Sequence, residues 1–190
     1  MTTLAPIHTI KMNAEQYFQL GEDPSGTHLE LIDGELIVSP SPNRTHAEII
    51  VALVFLLEGR IRQQKSGRIY LDTDVIFTSE TVRRPDIAYF GQAKLKQMVG
   101  QRLILAPDLA VEILSPSNPE DDRINKFHLY QSHGVGHYWI FDPVAQTAEC
   151  FEFRNGCYEL AASGKDFDTL SFPPFPDLSI PLKEIWLPPT

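Results

Sequence analysis

Apolar and polar residues alternate along the chain with two periods, and the switches between them delimit its elements. Asn13 to Leu20 forms a short helix candidate ended by Gly21 and Pro24. The segment HLELI-DG-ELIVS then reads as a β-hairpin with Asp33-Gly34 at its turn. Pairing Ile32 with Glu35 puts Glu30, Ile32, Glu35 and Ile37 on one face and Leu29, Leu31, Leu36 and Val38 on the other. Two glutamates among apolar neighbours are unusual for a purely structural ribbon. After Ser39-Pro40-Ser41-Pro42, Asn43 or Thr45 can cap a long helix running to about Lys65. Ile49, Ile50, Leu53, Val54, Leu57 and Ile61 follow the helical period, and Gly67 closes the element.

Three strands are predicted next, at Ile69–Phe77, Asp86–Phe90 and Leu109–Leu114. A loop-rich stretch from Gly91 to Pro107, with helical character at Lys94–Val99, separates the last two. Ser117 or Asn118 caps a second helix, with Pro119 at its first position, Glu120, Asp121 and Asp122 in its first turn, and Gly134 at its end. Strands at His137–Asp142, Thr147–Phe153 and Cys157–Leu160 complete the sheet. A proline-rich tail from Phe172, anchored by Phe175 and Trp186, reads as a strap packed on the body. The order predicts one α/β (α+β) domain over residues 1–190 with a mixed central sheet. An N-terminal helix and hairpin (10–40) precede an αβββαβ core (43–142), and a C-terminal hairpin and strap (147–190) follow it.

Composition narrows the function. A chain of 190 residues with 43% hydrophobic and 22% charged positions is ordinary for a folded domain. Sixteen basic against 25 acidic side chains give a net charge of -9. That excludes a protein gripping nucleic acid by bulk positive charge, but not a nucleic-acid enzyme whose carboxylates hold metal. Residues 1–20 lack the basic start and apolar stretch of a signal peptide. The longest apolar run, Ile49 to Leu57, falls short of the roughly 20 residues that span a bilayer. Across the Asn155-Gly156 turn, Cys150 and Cys157 stand roughly 13 Å apart, too far for a disulfide. These features predict a cytoplasmic, reduced protein with no membrane partner.

Two carboxylates stand out on strands. Asp86 opens DIAYF, and Glu112 sits inside the apolar LAVEIL. A carboxylate in such a strand needs an ion pair, hydrogen bonds or a metal, and Mg²⁺ favours oxygen ligands of this type. Lys126 lies roughly 10 Å into the second helix, and Glu112 lies roughly 10 Å back from Ser115. An antiparallel return therefore brings the lysine level with the glutamate, with Tyr130 on the same helix face. Two acids for metal and one ammonium form a working set for phosphodiester hydrolysis. Each has a plainer alternative: Asp86 paired with Arg83 or Arg84, Glu112 in a satisfied buried pair, and Lys126 paired with Asp122 one turn earlier. No zinc-type Cys/His spacing, glycine-rich phosphate loop or Gly-x-Ser-x-Gly elbow is present.

The phrases LELIDGELIVSPSP followed by His46, RPDIAYF, PDLAVEILSPSN, DD-x₃-K-x₃-Y and GVGHYWIFDP resemble the bacterial Uma-two family. That family belongs to the PD-(D/E)XK restriction-endonuclease-like superfamily, whose core is αβββαβ, and the resemblance runs from about Glu15 to the strap. It implies an endonuclease site acting on DNA with Mg²⁺, or Mn²⁺, bound by Asp86 and Glu112. The superfamily's lysine, two residues after the glutamate, is Leu114 here, and Uma-two-like sequences supply it from the following helix, at Lys126. The resemblance also points to Glu35 and His46 as site residues. Arg60, Arg62, Lys65 and Arg68 form one candidate DNA-facing patch, and Lys94, Lys96 and Arg102 another. With so acidic a chain, a homodimer is expected to help supply positive surface. The rival expectations are a catalytically silent binding or homodimeric assembly module of the same fold, and a hydrolase of non-nucleic phosphate esters.

Overall fold

The structure, a computed structural model, describes residues 11–115 and 120–186. The expected cap of the second helix, at Ser117 or Asn118 with Pro119, lies outside the described residues. The short helix α1 (Ala14–Gln19) starts at Asn13, whose side chain and that of Gln16 form a reciprocal capping box. The hairpin β1 (Thr27–Ile32) and β2 (Glu35–Pro40) has the expected register, Ile32 opposite Glu35 and Glu30 opposite Ile37. Asp33 and Gly34 turn the chain at φ 49° and 84°, the left-handed pair that suits the twist of two short strands.

The predicted strand Ile69–Phe77 is instead two, β3 (Gly67–Leu71) and β4 (Val75–Thr78), which belong to different sheets. Asp72, at φ 45°, breaks the extended run between them. A further strand, β5 (Thr81–Arg83), joins β4 and the hairpin in a sheet of order β2-β1-β5-β4. The large sheet adds β6 (Ile87–Gly91), β7 (Leu109–Ile113), β8 (His137–Asp142), β9 (Thr147–Arg154) and β10 (Cys157–Lys165), in the order β10-β9-β8-β7-β6-β3. Only β7 and β8 run parallel, so this central sheet is mixed, as expected.

The long helix α2 (Arg44–Gln64) is capped by Asn43, whose Oδ1 accepts the His46 N–H at 3.0 Å. Ile49, Leu53, Leu57 and Ile61 bury its inner stripe against Ile87, Leu109, Val111, Ile113 and Trp139. Each such side chain stabilises the fold by roughly 1.5–3 kcal/mol. The strap completes that layer: Phe172, Phe175, Leu178, Ile180, Leu182, Ile185 and Trp186 are all buried in the same cluster. Pro173 ties it to the sheet by accepting the Trp139 indole N–H at 2.7 Å.

The opposite face of β7 and β8 is covered by the second predicted helix. Its first part, Asp121–Lys126, is a π-helix, and only Phe127–Ser132 is α-helical. In the loop before β7, the helical turn falls at α3 (Gln92–Leu95), slightly ahead of the predicted position. Cys150 is buried, Cys157 is exposed, and both are free. Among the described residues, no helix is long and apolar enough to cross a membrane.

Candidate functional site

The candidate site forms at the end of the central sheet where β6 begins and β7 ends. Pro85 has no N–H to contribute to a ladder, so pairing starts just beyond it. Ile87 lies opposite Val111. Continuing that antiparallel register by one residue sets Asp86 opposite Glu112. Alternation along β7 turns Glu112 to the same side as Ala110 and Leu114, the side packed by Tyr130.

Glu112 is 1% exposed, and both of its oxygens are engaged. Oε2 accepts from Lys126 Nζ at 2.7 Å, and Oε1 accepts from the Tyr130 hydroxyl at 2.7 Å. The Lys126 ammonium also lies 2.9 Å from Asp122 Oδ1. Asp86 is held from two directions: its Oδ2 accepts the Ile113 N–H at 2.7 Å and lies 3.0 Å from His46 Nε2. His46 Nδ1 is buried and has no hydrogen-bond partner among the described residues.

A second ring of charges braces this centre. Arg83 is 1% exposed, sits 3.2 Å from Glu30 Oε1 and donates to Asp121. The Arg84 N–H donates to the same glutamate oxygen at 2.8 Å, while its guanidinium reaches Asp74 and Asp23. Buried arginine thus ties the small sheet to the π-helical turn. The turn itself carries Asp122 and Lys126 into the interior.

Charge and burial compete strongly here. Burial pushes the Glu112 carboxyl well above the usual glutamate range, against the opposing pull of Lys126. Asp122 is raised by the same cause. Burial works to lower Lys126, yet Asp122 and Glu112 together hold its ammonium well above the ordinary lysine value. For Asp121 burial acts upward, but Arg83 and Asn125 keep the carboxyl below its usual range. Tyr130 is raised by burial and by the adjacent Glu112.

The resulting cleft has a volume of about 120 Å³. Glu30, Asp72, Asp86, Glu112, Asp121 and Asp122 line it, against the fixed cations Arg84 and Lys126 and the imidazoles of His28 and His46. Such an excess of carboxylates attracts a cation. Among the described residues no group of three or more His, Cys, Asp or Glu side chains is placed to hold a metal ion. An all-oxygen pair without a cage fits Mg²⁺, which one or two carboxylates hold while waters and substrate oxygens complete its shell. Asp86 and Glu112 could hold it, Glu112 by exchanging a contact with Lys126 or Tyr130.

Of the predicted residues, Asp86, Glu112, Lys126 and His46 meet in the cleft. Glu35 is exposed near the hairpin turn and lies outside it, and Glu30, on the same face of the ribbon, lines it instead. The expected pairing of Lys126 with Asp122 is present, and so is the satisfied buried pair of Glu112; Arg83 meets Glu30 and Asp121 rather than Asp86, and the bracing role of Asp121 is not legible in the sequence. Within Glu120-Asp121-Asp122, spacing to Lys126 marks Asp122, whereas Asp121 reads as ordinary acidic decoration of a helix start until Arg83 is seen beside it. Tyr130 was legible through its shared helix face with Lys126.

Fold and cleft together describe a mixed α/β protein with a carboxylate-rich cleft at the end of its central sheet. Residues 14–183 match the model of the Uma2 family, described as "Putative restriction endonuclease", and the chain belongs to that family. Among solved structures it is similar to a "putative nuclease belonging to DUF820" from Anabaena variabilis ATCC 29413. The TM-score is 0.77 at 21% identity, over 92% of this chain and 97% of that one, a likeness of fold. No curated protein matches the chain.

Proposed function

We propose that this protein is a metal-dependent endonuclease that hydrolyses DNA phosphodiester bonds, with Mg²⁺ or Mn²⁺ held by Asp86 and Glu112. The observation that carries this reading is the opposed pair Asp86 and Glu112 in a carboxylate-rich cleft, with the buried Lys126 ammonium 2.7 Å from Glu112. A bound divalent cation supplies an activated water and neutralises charge on the phosphate. Lys126 keeps its proton in this setting, so it acts as a fixed positive charge that orients the attacking water and offsets negative charge developing on the phosphate. Tyr130 fixes the Glu112 carboxylate by its second oxygen. The Ile113 N–H and His46 fix Asp86 in the same way. Glu35, outside the cleft, is assigned no step.

Nicking of supercoiled plasmid tests the proposal. Wild-type protein with Mg²⁺ or Mn²⁺ nicks the plasmid, and Glu112→Gln or added chelator abolishes the reaction. Equal nicking by wild type and Glu112→Gln refutes the assignment, and no nicking by either refutes the nuclease.

A second reading, a homodimeric assembly module, draws on the outer face of α2, where Val51 is 68% and Phe55 80% exposed. Sedimentation equilibrium decides the oligomeric state, and a dimer is compatible with either activity outcome. The free cysteines fit a reducing, cytoplasmic setting.

A further inference from the structure

A second cavity, of about 530 Å³, opens along the edge strand β3, between Arg68 and Tyr70 on the strand and Lys96 and Arg102 in the loop that follows α3. Its chemistry is the reverse of the cleft's: among the described residues no carboxylate lines it. The chain is acidic, and its arginines are otherwise neutralised. Arg44, Arg60, Arg62, Arg83, Arg84, Arg123 and Arg154 each lie within ion-pair distance of an Asp or Glu. Arg68 and Arg102, the two remaining arginines of the sequence, both line this groove.

The groove is also built rather than loose. The Arg102 guanidinium sits 4.1 Å from the centre of the Phe18 ring, a cation–π contact that holds the head group in place without using a carboxylate. The Phe18 ring packs edge-on against Tyr17 at 5.2 Å, and the Tyr17 hydroxyl bonds Asp74 beside Arg84 at the cleft. Strand β3 makes the second link. Just past its end, the Asp72 N–H donates to the Asp86 carbonyl at 3.3 Å, and Asp72 lines the cleft. Arg68 stands four residues back along the strand, roughly 13 Å away at about 3.3 Å per residue. That is about four base pairs of DNA at roughly 3.4 Å each.

We infer that this groove is the anchor for the DNA backbone, with Arg68, Lys96 and Arg102 contacting phosphates about four base pairs from the scissile one. The inference rests on the proposed nuclease function and deepens it. It resolves how a chain of net charge -9 holds a polyanion: attraction is concentrated in one groove, while the carboxylate cleft waits for a cation.

The test is fluorescence anisotropy of a labelled 20-base-pair duplex in EDTA, where binding is read without cleavage. Two triple variants are compared with wild type: Arg68→Gln/Lys96→Gln/Arg102→Gln, and a control of equal charge change, Lys11→Gln/Lys165→Gln/Lys183→Gln. Each phosphate contact contributes about 0.9 to the slope of log affinity against log salt. The groove variant is expected to flatten that slope by about 2.7, so wild type's advantage shrinks about 40-fold between 50 and 200 mM salt. The control keeps the wild-type slope, and unchanged circular dichroism shows that both variants are folded. A wild-type slope in the groove variant, equal flattening in the control, or no DNA binding by wild type overturns the inference. Failure of the nuclease function shows separately, as DNA binding through the groove without metal-dependent nicking.

Discussion

Replacing Lys126 with Met removes the cation from the centre of the site while keeping most of the side chain's volume. Glu112 and Asp122 are 1% and 7% exposed, so the change strands two buried carboxylates. Breaking a buried pair in this way costs about 3–5 kcal/mol. For a chain of this size that corresponds to a fall in Tm of about 6–20 °C. The loss depends on pH with a defined sign. Burial already raises Glu112 and Asp122 above their unfolded values, and without the ammonium they rise further. A carboxyl with a raised folded pKa binds its proton more tightly in the folded state. Its contribution to stability is complete below the unfolded value and is lost as pH rises through the folded one. The deficit of Lys126→Met is therefore largest near pH 8 and shrinks towards pH 5. Urea unfolding followed by the fluorescence of the buried Trp139 reads it directly. Adding Glu112→Gln removes one stranded charge and recovers part of the loss. A deficit below about 1 kcal/mol at pH 8, or one that is constant from pH 5 to 8, refutes the account of a buried ammonium holding two carboxylates.

Two further outcomes are expected. His46→Leu removes one of the partners of Asp86 Oδ2 and slows Mg²⁺-dependent nicking by about 10- to 100-fold, as loss of a ligand's supporting partner does; single-turnover nicking within twofold of wild type contradicts this. Gly67→Ala places a methyl 2.2 Å from the Phe90 carbonyl oxygen and 2.6 Å from the Tyr89 ring, so β3 must shift and stability falls by about 1–3 kcal/mol, measured by thermal unfolding.

Where local chemistry dictates structure, the sequence was readable. The Asp-Gly turn sets the hairpin register, Asn43 starts α2, and the matched rises along strand and helix bring Lys126 to Glu112. Where the structure depends on partners distant in sequence, it was not. The small sheet pairs β1 with β5 across some 50 residues through the single register pair Leu31 and Val82, and nothing in the alternation of 69–77 announces that Asp72 divides it between two sheets. The π-helical turn is equally silent, because its backbone pairing shifts without any change of residue type. Glu35 and Glu30 share a face of the ribbon, so period alone cannot choose between them. The choice falls to Glu30 because Arg83 and Arg84 approach it from β5 and the turn beyond.

The strap has a consequence for the order in which the fold comes into being. Its aromatic and aliphatic side chains close the layer over α2, which carries His46, yet they are translated 46 to 60 residues after Lys126. At about 5–20 residues per second, the ribosome spends several seconds with both acids and the lysine already made but the α2 face of the sheet unsealed. The layer that seats the His46 helix is complete only with the strap in place, so the cleft is expected to take its final form late in synthesis.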